Sequence, residues 1–484
     1  MILARSFGRK KFTMVEALGY LVAGAPFVVA GVALVWLRWP ATWSGVAALA
    51  AALAGAFLYP GLERSGLGGA FWAGLGTSGE VLYVLFGGLL LYNLLSAGEA
   101  IERMSEFLGC LEPEGEALAL VVVVGAAPFF ESVTGFGVAV VISAPILLAA
   151  GFSPLRAAVL SSWGQCAVPW GALGIGTVIG ADLSGTSFGE LSDLSALLSL
   201  PLFPIYAVAA VALAGGWDGV KRRGVEAVLL GLIAGAATLL TSLFLVPELS
   251  GALGGLAATG AFLAVRWRRL SEESIPVRAF LPYAFLLALL AVANGLRPVG
   301  TWLASLGPVF EGPGLPLLFS AAFAVLLFGL GGEAVGSAAR QTFKQWLPVA
   351  GAVVGFLLAG QVVATSGAAA LLASGAEAFG PFYAAVAPVL GAMGGALTGS
   401  NAASNALFMP VQVEAAQGLG LPEAFVAAIQ NVAGSHASML SPQRVVLAAT
   451  AVGIPGREGE VARATLPPIV ASVVILALAG LLAG

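Results

Sequence analysis

The feature that most limits what this chain can become is the length of its stretches without charge. Residues 17–37, 39–62, 81–98, 132–155, 157–181, 194–217, 227–247, 279–296, 312–332, 345–376, 378–413 and 464–484 contain no Asp, Glu, Lys or Arg. A helix needs about 17–25 apolar residues to cross the hydrocarbon of a bilayer, so most of these blocks can span. Backbone polar groups in lipid must be satisfied within the spanning structure, which leaves helices or a closed barrel. These runs are continuous rather than alternating, which excludes the barrel. The expectation is an all-α polytopic membrane protein with roughly 12 or more transmembrane segments.

Composition agrees. Only 10% of the 484 residues are charged, against about 25% in soluble domains. The 66 glycines and 26 prolines suit membrane helices, which use them to pack closely and to break. Cys110 and Cys166 give neither a disulfide framework nor metal-ligand spacing, so no metal and no cofactor is expected. A net charge of −4 offers nothing to nucleic acid. Arg5, Arg9, Lys10 and Lys11 precede a block longer than the apolar core of a signal peptide, so a retained first helix is expected. By the positive-inside rule the N-terminus, Lys221-Arg222-Arg223 and Arg266-Trp267-Arg268-Arg269 face the cytoplasm. A hairpin within 117–150 would make the tally of crossings odd, so the topology of the first half stays open.

A weak internal symmetry divides the chain into residues 1–220 and 221–484. In the first half the short apolar run Ala117 to Phe130 ends in Glu131-Ser132-Val133-Thr134-Gly135-Phe136-Gly137. In the second, Val386 to Leu397 ends in Thr398-Gly399-Ser400-Asn401-Ala402-Ala403-Ser404-Asn405. Each polar tip precedes a second interruption, Ser161 to Cys166 before Pro169 and Gln430 to His436 before Pro442, and both Glu131 to Gln165 and Ser400 to Gly434 span 34 positions. Paired, glycine- and proline-broken segments in both halves point to a secondary transporter built from two inverted repeats. Each repeat would hold a re-entrant hairpin (tips near 131–137 and 398–405) and a broken helix (near 161–170 and 430–442). The half-helix N-termini at such breaks suit an anion, while unwound carbonyls with Ser and Asn oxygens also suit Na⁺.

These motifs resemble those of the L-lactate permease family. Phe129-Phe130-Glu131-Ser132-Val133-Thr134-Gly135-Phe136-Gly137 is similar to its first, an acid followed by Gly-Phe-Gly. Gly399 to Phe408 is similar to its second, Gly-Ser-x-x-x-Ser-Asn-x-x-Phe. Met439-Leu440-Ser441-Pro442-Gln443 with the Gly456–Gly459 turn, and Leu91-Tyr92-Asn93, also fit. The resemblance implies a multi-pass carrier of the bacterial plasma (inner) membrane that moves lactate or glycolate with protons. It also implies kinship with a wider superfamily whose members use re-entrant hairpins and an elevator-like transport domain on a scaffold, often as dimers, which leaves a homodimer open. Two positions depart from the family: Gln165-Cys166 replaces Asn-Thr, and Ser438 replaces a lysine that could pair with the carboxylate. That leaves His436 or Arg444 to supply the counter-charge, or the substrate to differ.

Glu131 is the sharpest candidate, an acid flanked by fourteen and twenty-four charge-free residues. Such an acid defaults to function: burial would raise its pKa and let it carry the coupling proton. The plainer alternative is a wet hairpin tip or a structural ion pair. His436, the only histidine, is the second proton candidate, against a local hydrogen bond. Ser132, Thr134, Gly135, Gln165, Ser400, Asn401, Ser404, Asn405, Ser435 and Gln443 are candidates to bind substrate, with helix capping the competing role for the Ser400–Asn405 tip. Glu333 and Arg340 are expected to pair in a loop, and Arg156 to mark a segment end. No His-Glu-x-x-His or Gly-x-x-x-x-Gly-Lys-[Ser/Thr] is present, which argues against a metalloprotease or an ATP-driven pump. A twofold pattern suits a carrier better than a channel. The reading is a proton-coupled importer of a short 2-hydroxy-monocarboxylate working by alternating access. A Na⁺-coupled carrier of another small carboxylate is the alternative, and an intramembrane enzyme a remote one.

Overall fold

The computed structural model describes residues 14–111, 115–135, 137–266, 275–295, 302, 305 and 312–483. The basic N-terminal residues, Glu112, Glu114, Phe136 and Trp267 to Arg269 lie outside these, as does the side chain of Cys110. The helices are α1 (Met14–Gly31, continued by a π-helical turn Val32–Trp36), α2 (Ala41–Leu58), α3 (Leu67–Ala97), α4 (Ala100–Leu111) and α5 (Gly115–Thr134). There follow α6 (Val138–Ala149), α7 (Pro154–Trp163), α8 (Gly171–Ser184), α9 (Phe188–Ser199), α10 (Leu202–Phe244), α11 (Ser250–Val265) and α12 (Val277–Gly295). The remainder are α13 (Gly314–Phe328), α14 (Gly332–Thr365), α15 (Ala368–Ser374), α16 (Tyr383–Thr398), α17 (Asn401–Leu419), α18 (Glu423–Ala437), α19 (Pro442–Ala451) and α20 (Glu458–Ala483).

Among the described residues nine helices are long and apolar enough to cross a membrane, or ten if the bent pair α7–α8 counts as one. The charge-free blocks suggested a dozen. The difference arises because blocks 132–155 and 157–181 are each cut by a turn, blocks 194–217 and 227–247 share the single helix α10, and the apolar stretches of α6, α12 and α13 are short. Glu333 and Arg340, expected in a loop, both sit on α14, whose polar first turns extend the apolar block that follows. Arg156 does stand at a helix start, behind Pro154 at the first position of α7.

Burial separates an inner layer from an outer one. Every residue of α5 from Ala117 to Thr134 is buried in protein. Outer helices such as α1 and α20 present Leu21, Val28, Leu478 and Leu482 outward, as a lipid-facing surface requires. The two halves interlock reciprocally. The first half's broken helix α8 packs on α17, an arm of the second hairpin, while α19, beyond the second half's break, packs on α6 and α7.

Close backbone contact holds the second hairpin. A Cβ added at Gly395 of α16 would collide with the Gly434 carbonyl of α18. Gly395→Ala is therefore expected to destabilise the protein by about 1–3 kcal/mol, read as a lower melting temperature in detergent. Gly68→Ala, with nothing within 4 Å of the added carbon, is the control.

Charge gathers outside the apolar blocks. The 43-residue α10 kinks at Gly216 (φ 63°) and carries Lys221, Arg222 and Arg223 between two apolar stretches. Glu116 at the start of α5 pairs with Arg222, and Glu226 accepts from Arg223 and is ion-paired with Arg266, each at 2.7 Å. Burial pushes the Glu226 carboxyl up, but the hydrogen bonds and charges of Arg266 and Arg223 outweigh it and hold it below the ordinary carboxylate range. A depressed folded value stabilises above the ordinary carboxylate pKa and is lost as pH falls through the folded value. Glu226→Gln should cost roughly 1 kcal/mol at neutral pH. The gap to wild type in melting temperature should close below about pH 4.

Candidate functional site

The first tip forms because Gly135 (φ 70°) and Gly137 (φ 81°) adopt positive φ and turn the chain from α5 into α6. Glu131 lies in the last turn of α5, 1% exposed. Its carboxylate accepts from the Gly137 amide at 3.2 Å. The second tip is built the same way, with Gly399 (φ 66°) closing α16 and Ser400 capping α17 by accepting from the Ala403 amide.

The break after α7 holds the longest run of positive-φ residues among the described residues. A 3₁₀ turn over Val168–Trp170 leads into Ala172, Leu173 and Gly174, three successive left-handed residues (φ 49°, 58° and 83°). Two are not glycine, and strain of this kind persists where surrounding structure over-determines it. The break in the second half falls at Ser438–Ser441, where a 3₁₀ turn precedes α19 and Ser441 caps it. The Gln430 to His436 run, expected as an interruption, lies within unbroken α18.

Because the halves interlock, each tip meets the other half's broken helix. Arg444, in the first turn of α19, reaches the first tip: its guanidinium lies 3.4 Å from Glu131 Oε1. It also donates to Gln165 Oε1 and, through Nε, to the Gly399 carbonyl at 3.0 Å. Asn401 and Asn405 of α17 reach α8, where Asn405 Nδ2 donates to the Gly176 carbonyl at 2.9 Å. Between these contacts is a cavity of about 30 Å³ lined by Glu131, Gly135, Ala172, Ile175, Ser400, Asn401 and Arg444, among others. It is well below the roughly 300–1,000 Å³ of ordinary ligand pockets.

Of the candidate residues, Glu131, Gly135, Ser400 and Asn401 thus share one cavity, and Gln165 touches it through Arg444. The others do not line it. Thr134 donates to the Phe130 carbonyl at 2.6 Å, and Gln443 to the Thr398 carbonyl. Ser404 bonds the Gly391 carbonyl and Gln430. Ser132 and Ser435 are fully buried, with hydroxyls lacking a partner. His436 lies elsewhere: its Nδ1 is 3.1 Å from both Tyr206 Oη and Ser472 Oγ. Arg444, named in the sequence only as a substitute counter-charge, is the residue that organises the site. The one sequence signal for it is a lone cation just inside the Ser-Pro-Gln motif.

Breaking a buried ion pair leaves a bare charge and costs about 3–5 kcal/mol. Arg444→Leu should therefore lower the melting temperature markedly. Adding Glu131→Gln to it should restore part of the loss, and the coupling is read from the double-mutant cycle. Additive effects of the two substitutions would mean that the pair is not energetically formed.

The chain matches the family model described as L-lactate permease over residues 19–274 and 306–483. The L-lactate permease of Salmonella typhimurium is 26% identical, and that of Escherichia coli K12 is 24% identical, each alignment covering 93% of both chains. Glycolate permease GlcA of E. coli K12 is 24% identical over 80% of this chain and 81% of its own. Among solved structures, the YdaH transporter of Alcanivorax borkumensis overlays with a TM-score of 0.48 and 18% identity, covering 86% of this chain and 87% of that one.

Proposed function

This chain belongs to the L-lactate permease family, and from that premise we propose that it imports L-lactate, glycolate or a related short 2-hydroxy-monocarboxylate with protons across a bacterial plasma membrane. A permease family and nine or more apolar helices make it a multi-pass membrane transporter and not an enzyme. The substrate, the coupling ion and the transport cycle are our reading. One observation carries it: a buried carboxylate and a guanidinium face each other on the wall of a small cavity between two hairpin tips.

The pair couples proton to anion by charge balance. With Glu131 ionised and Arg444 charged, the empty site is neutral. A substrate carboxylate competes with Glu131 for the same guanidinium, whose fork suits it. Its negative charge is tolerated only when Glu131 takes a proton, and the loaded site is then neutral again. Anion alone or proton alone leaves a net charge in a membrane-buried site, which is costly. Neutral empty and neutral doubly loaded forms are the two that can reorient, which is symport by alternating access. Arg444 fills the role of the counter-charge that Ser438 cannot.

The rest of the cycle rests on the same proposal. Residues 1–220 and 221–484 form two inverted repeats, each contributing one hairpin and one broken helix. Together these make a moving unit against a scaffold that includes α14 and the two helices packed on it, α2 and α3. Substrate contacts extend from Arg444 to Ser400 and Asn401 on the second tip, and Gln165 orients the guanidinium.

The test is uptake of labelled L-lactate into proteoliposomes under an imposed ΔpH and, separately, an imposed Na⁺ gradient. ΔpH alone should drive accumulation in the wild type. Glu131→Gln should abolish it while retaining exchange of lactate between the two sides. Full ΔpH-driven accumulation by that variant would remove Glu131 from coupling, and accumulation driven by Na⁺ alone would replace the coupling ion.

A further inference from the structure

A hydrogen-bond chain running through three asparagines fixes one polar atom of the cavity. Asn431 of α18 accepts at Oδ1 from Asn401 Nδ2 and from Asn405 Nδ2, both at 2.8 Å. Its own Nδ2 donates to Thr177 Oγ1 at 3.0 Å and Ser195 Oγ at 2.9 Å. An amide side chain can be turned over without changing its shape, so its orientation must be argued from partners that cannot switch roles. Two backbone carbonyls supply that anchor. The Gly176 carbonyl can only accept, so the Asn405 atom 2.9 Å from it is nitrogen. The Pro169 carbonyl can only accept, so the Thr177 hydroxyl 2.5 Å away spends its proton there. Thr177 Oγ1 lies near both Asn431 side-chain atoms, 3.0 Å from Nδ2 and 3.3 Å from Oδ1, and with its proton on Pro169 it accepts from Nδ2. The Gly176 anchor fixes the orientation of Asn431 and the Thr177 contact agrees with it; Asn431 Oδ1 in turn sets Asn401 with its nitrogen inward.

The consequence is an exposed need. Asn401 is 5% exposed, lines the cavity, and its Oδ1 has no hydrogen-bond partner. Its orientation as an acceptor is set by the backbone of the other half, and Asn401 lines the same cavity as Arg444. A buried acceptor without a donor costs about 1–3 kcal/mol, which a bound donor recovers. Carboxylate oxygens offer no proton, so the carboxylate end of a substrate cannot serve. A hydroxyl can.

We infer that Asn401 Oδ1 is the specificity determinant for the substrate's hydroxyl, accepting its proton while Arg444 holds the carboxylate, and that Asn431 and Thr177 are positioning residues which keep it an acceptor. This rests on the transport reading above and adds how the site tells a hydroxy acid from the same acid without the hydroxyl. Sites built to bond a substrate hydroxyl reject the analogue lacking it, because their own polar group is then left unpaired.

Propionate is lactate without its hydroxyl, so the experiment compares unlabelled L-lactate and propionate as inhibitors of labelled L-lactate uptake into proteoliposomes. In the wild type, propionate should need about 10–100-fold more for half inhibition. In Asn401→Ala the ratio should fall to within about threefold, while Asn401→Gln, which keeps an uncharged amide, should retain a larger ratio than the alanine variant. Asn401→Val, which also lacks an acceptor, replaces the alanine variant if that protein is not recovered in the membrane. A wild-type ratio near one overturns the inference with transport intact, as does an unchanged ratio in the alanine or valine variant. Equal loss of both acids in the alanine, valine and glutamine variants, with protein present in the membrane, makes Asn401 a general binding or structural group and also overturns it. A wild type that takes up no L-lactate overturns the transport reading itself.

Discussion

A carboxylate buried inside a membrane protein has to be answered, and in this chain Arg444 answers it. Glu131 is shut away at the end of a helix that is itself enclosed by protein. A single turn amide is a weak solvent for its charge. The guanidinium that balances it arrives from the opposite half, 313 positions along the chain. For that approach, α19 must start beside the first tip, so the second half must break after Ala437. Gly399, whose carbonyl steadies the guanidinium, must close α16 at the same point. The positions of both tips and of the second break are thereby tied to one ion pair.

The same logic runs in the other direction between α8 and α17. Breaking a helix frees carbonyls that would otherwise be spent within it, and the asparagine chain is one place where they are used. Pro169 lies in the 3₁₀ turn of the break, and Gly176 just past the left-handed run. The strain at Ala172 and Leu173 therefore accompanies two fixed acceptors, the Gly176 carbonyl, which meets Asn405 of the second tip, and the Pro169 carbonyl, which takes the Thr177 proton. Each half's distorted backbone sets the chemistry of the other half's tip.

Much of this was legible in the sequence. Unbroken charge-free blocks required helices, the glycines flanking Glu131 and Ser400 marked the tips, and motif order pointed to the family. What the residues hid was satisfaction by distant partners. Gln430 to His436 looks like a break because so many polar groups crowd an apolar run. The helix continues because those groups are met from the side: Gln430 bonds Ser404 and Gln412, Asn431 bonds two other asparagines, and His436 bonds Tyr206 and Ser472. Arg444 was similarly obscured. A cation two residues after a proline reads as a helix start at the membrane surface, and local pattern carries no trace of an acid in the other half.

The two ends of the cavity differ in how firmly their chemistry is set, and the difference suits a coupled carrier. At one end the guanidinium is shared with the Glu131 carboxylate, the proposed carrier of the coupling proton. At the other, the polarity of Asn401 descends from two backbone carbonyls, which do not titrate and cannot change role. A proposed symporter must alter its charge state during every cycle without altering what it recognises. Separating the two groups would serve that proposed cycle, since the Glu131–Arg444 pair and the hydrogen-bond chain through Asn431 share no residue. Recognition resting on a second titratable group would lose selectivity in the same step that gains the proton.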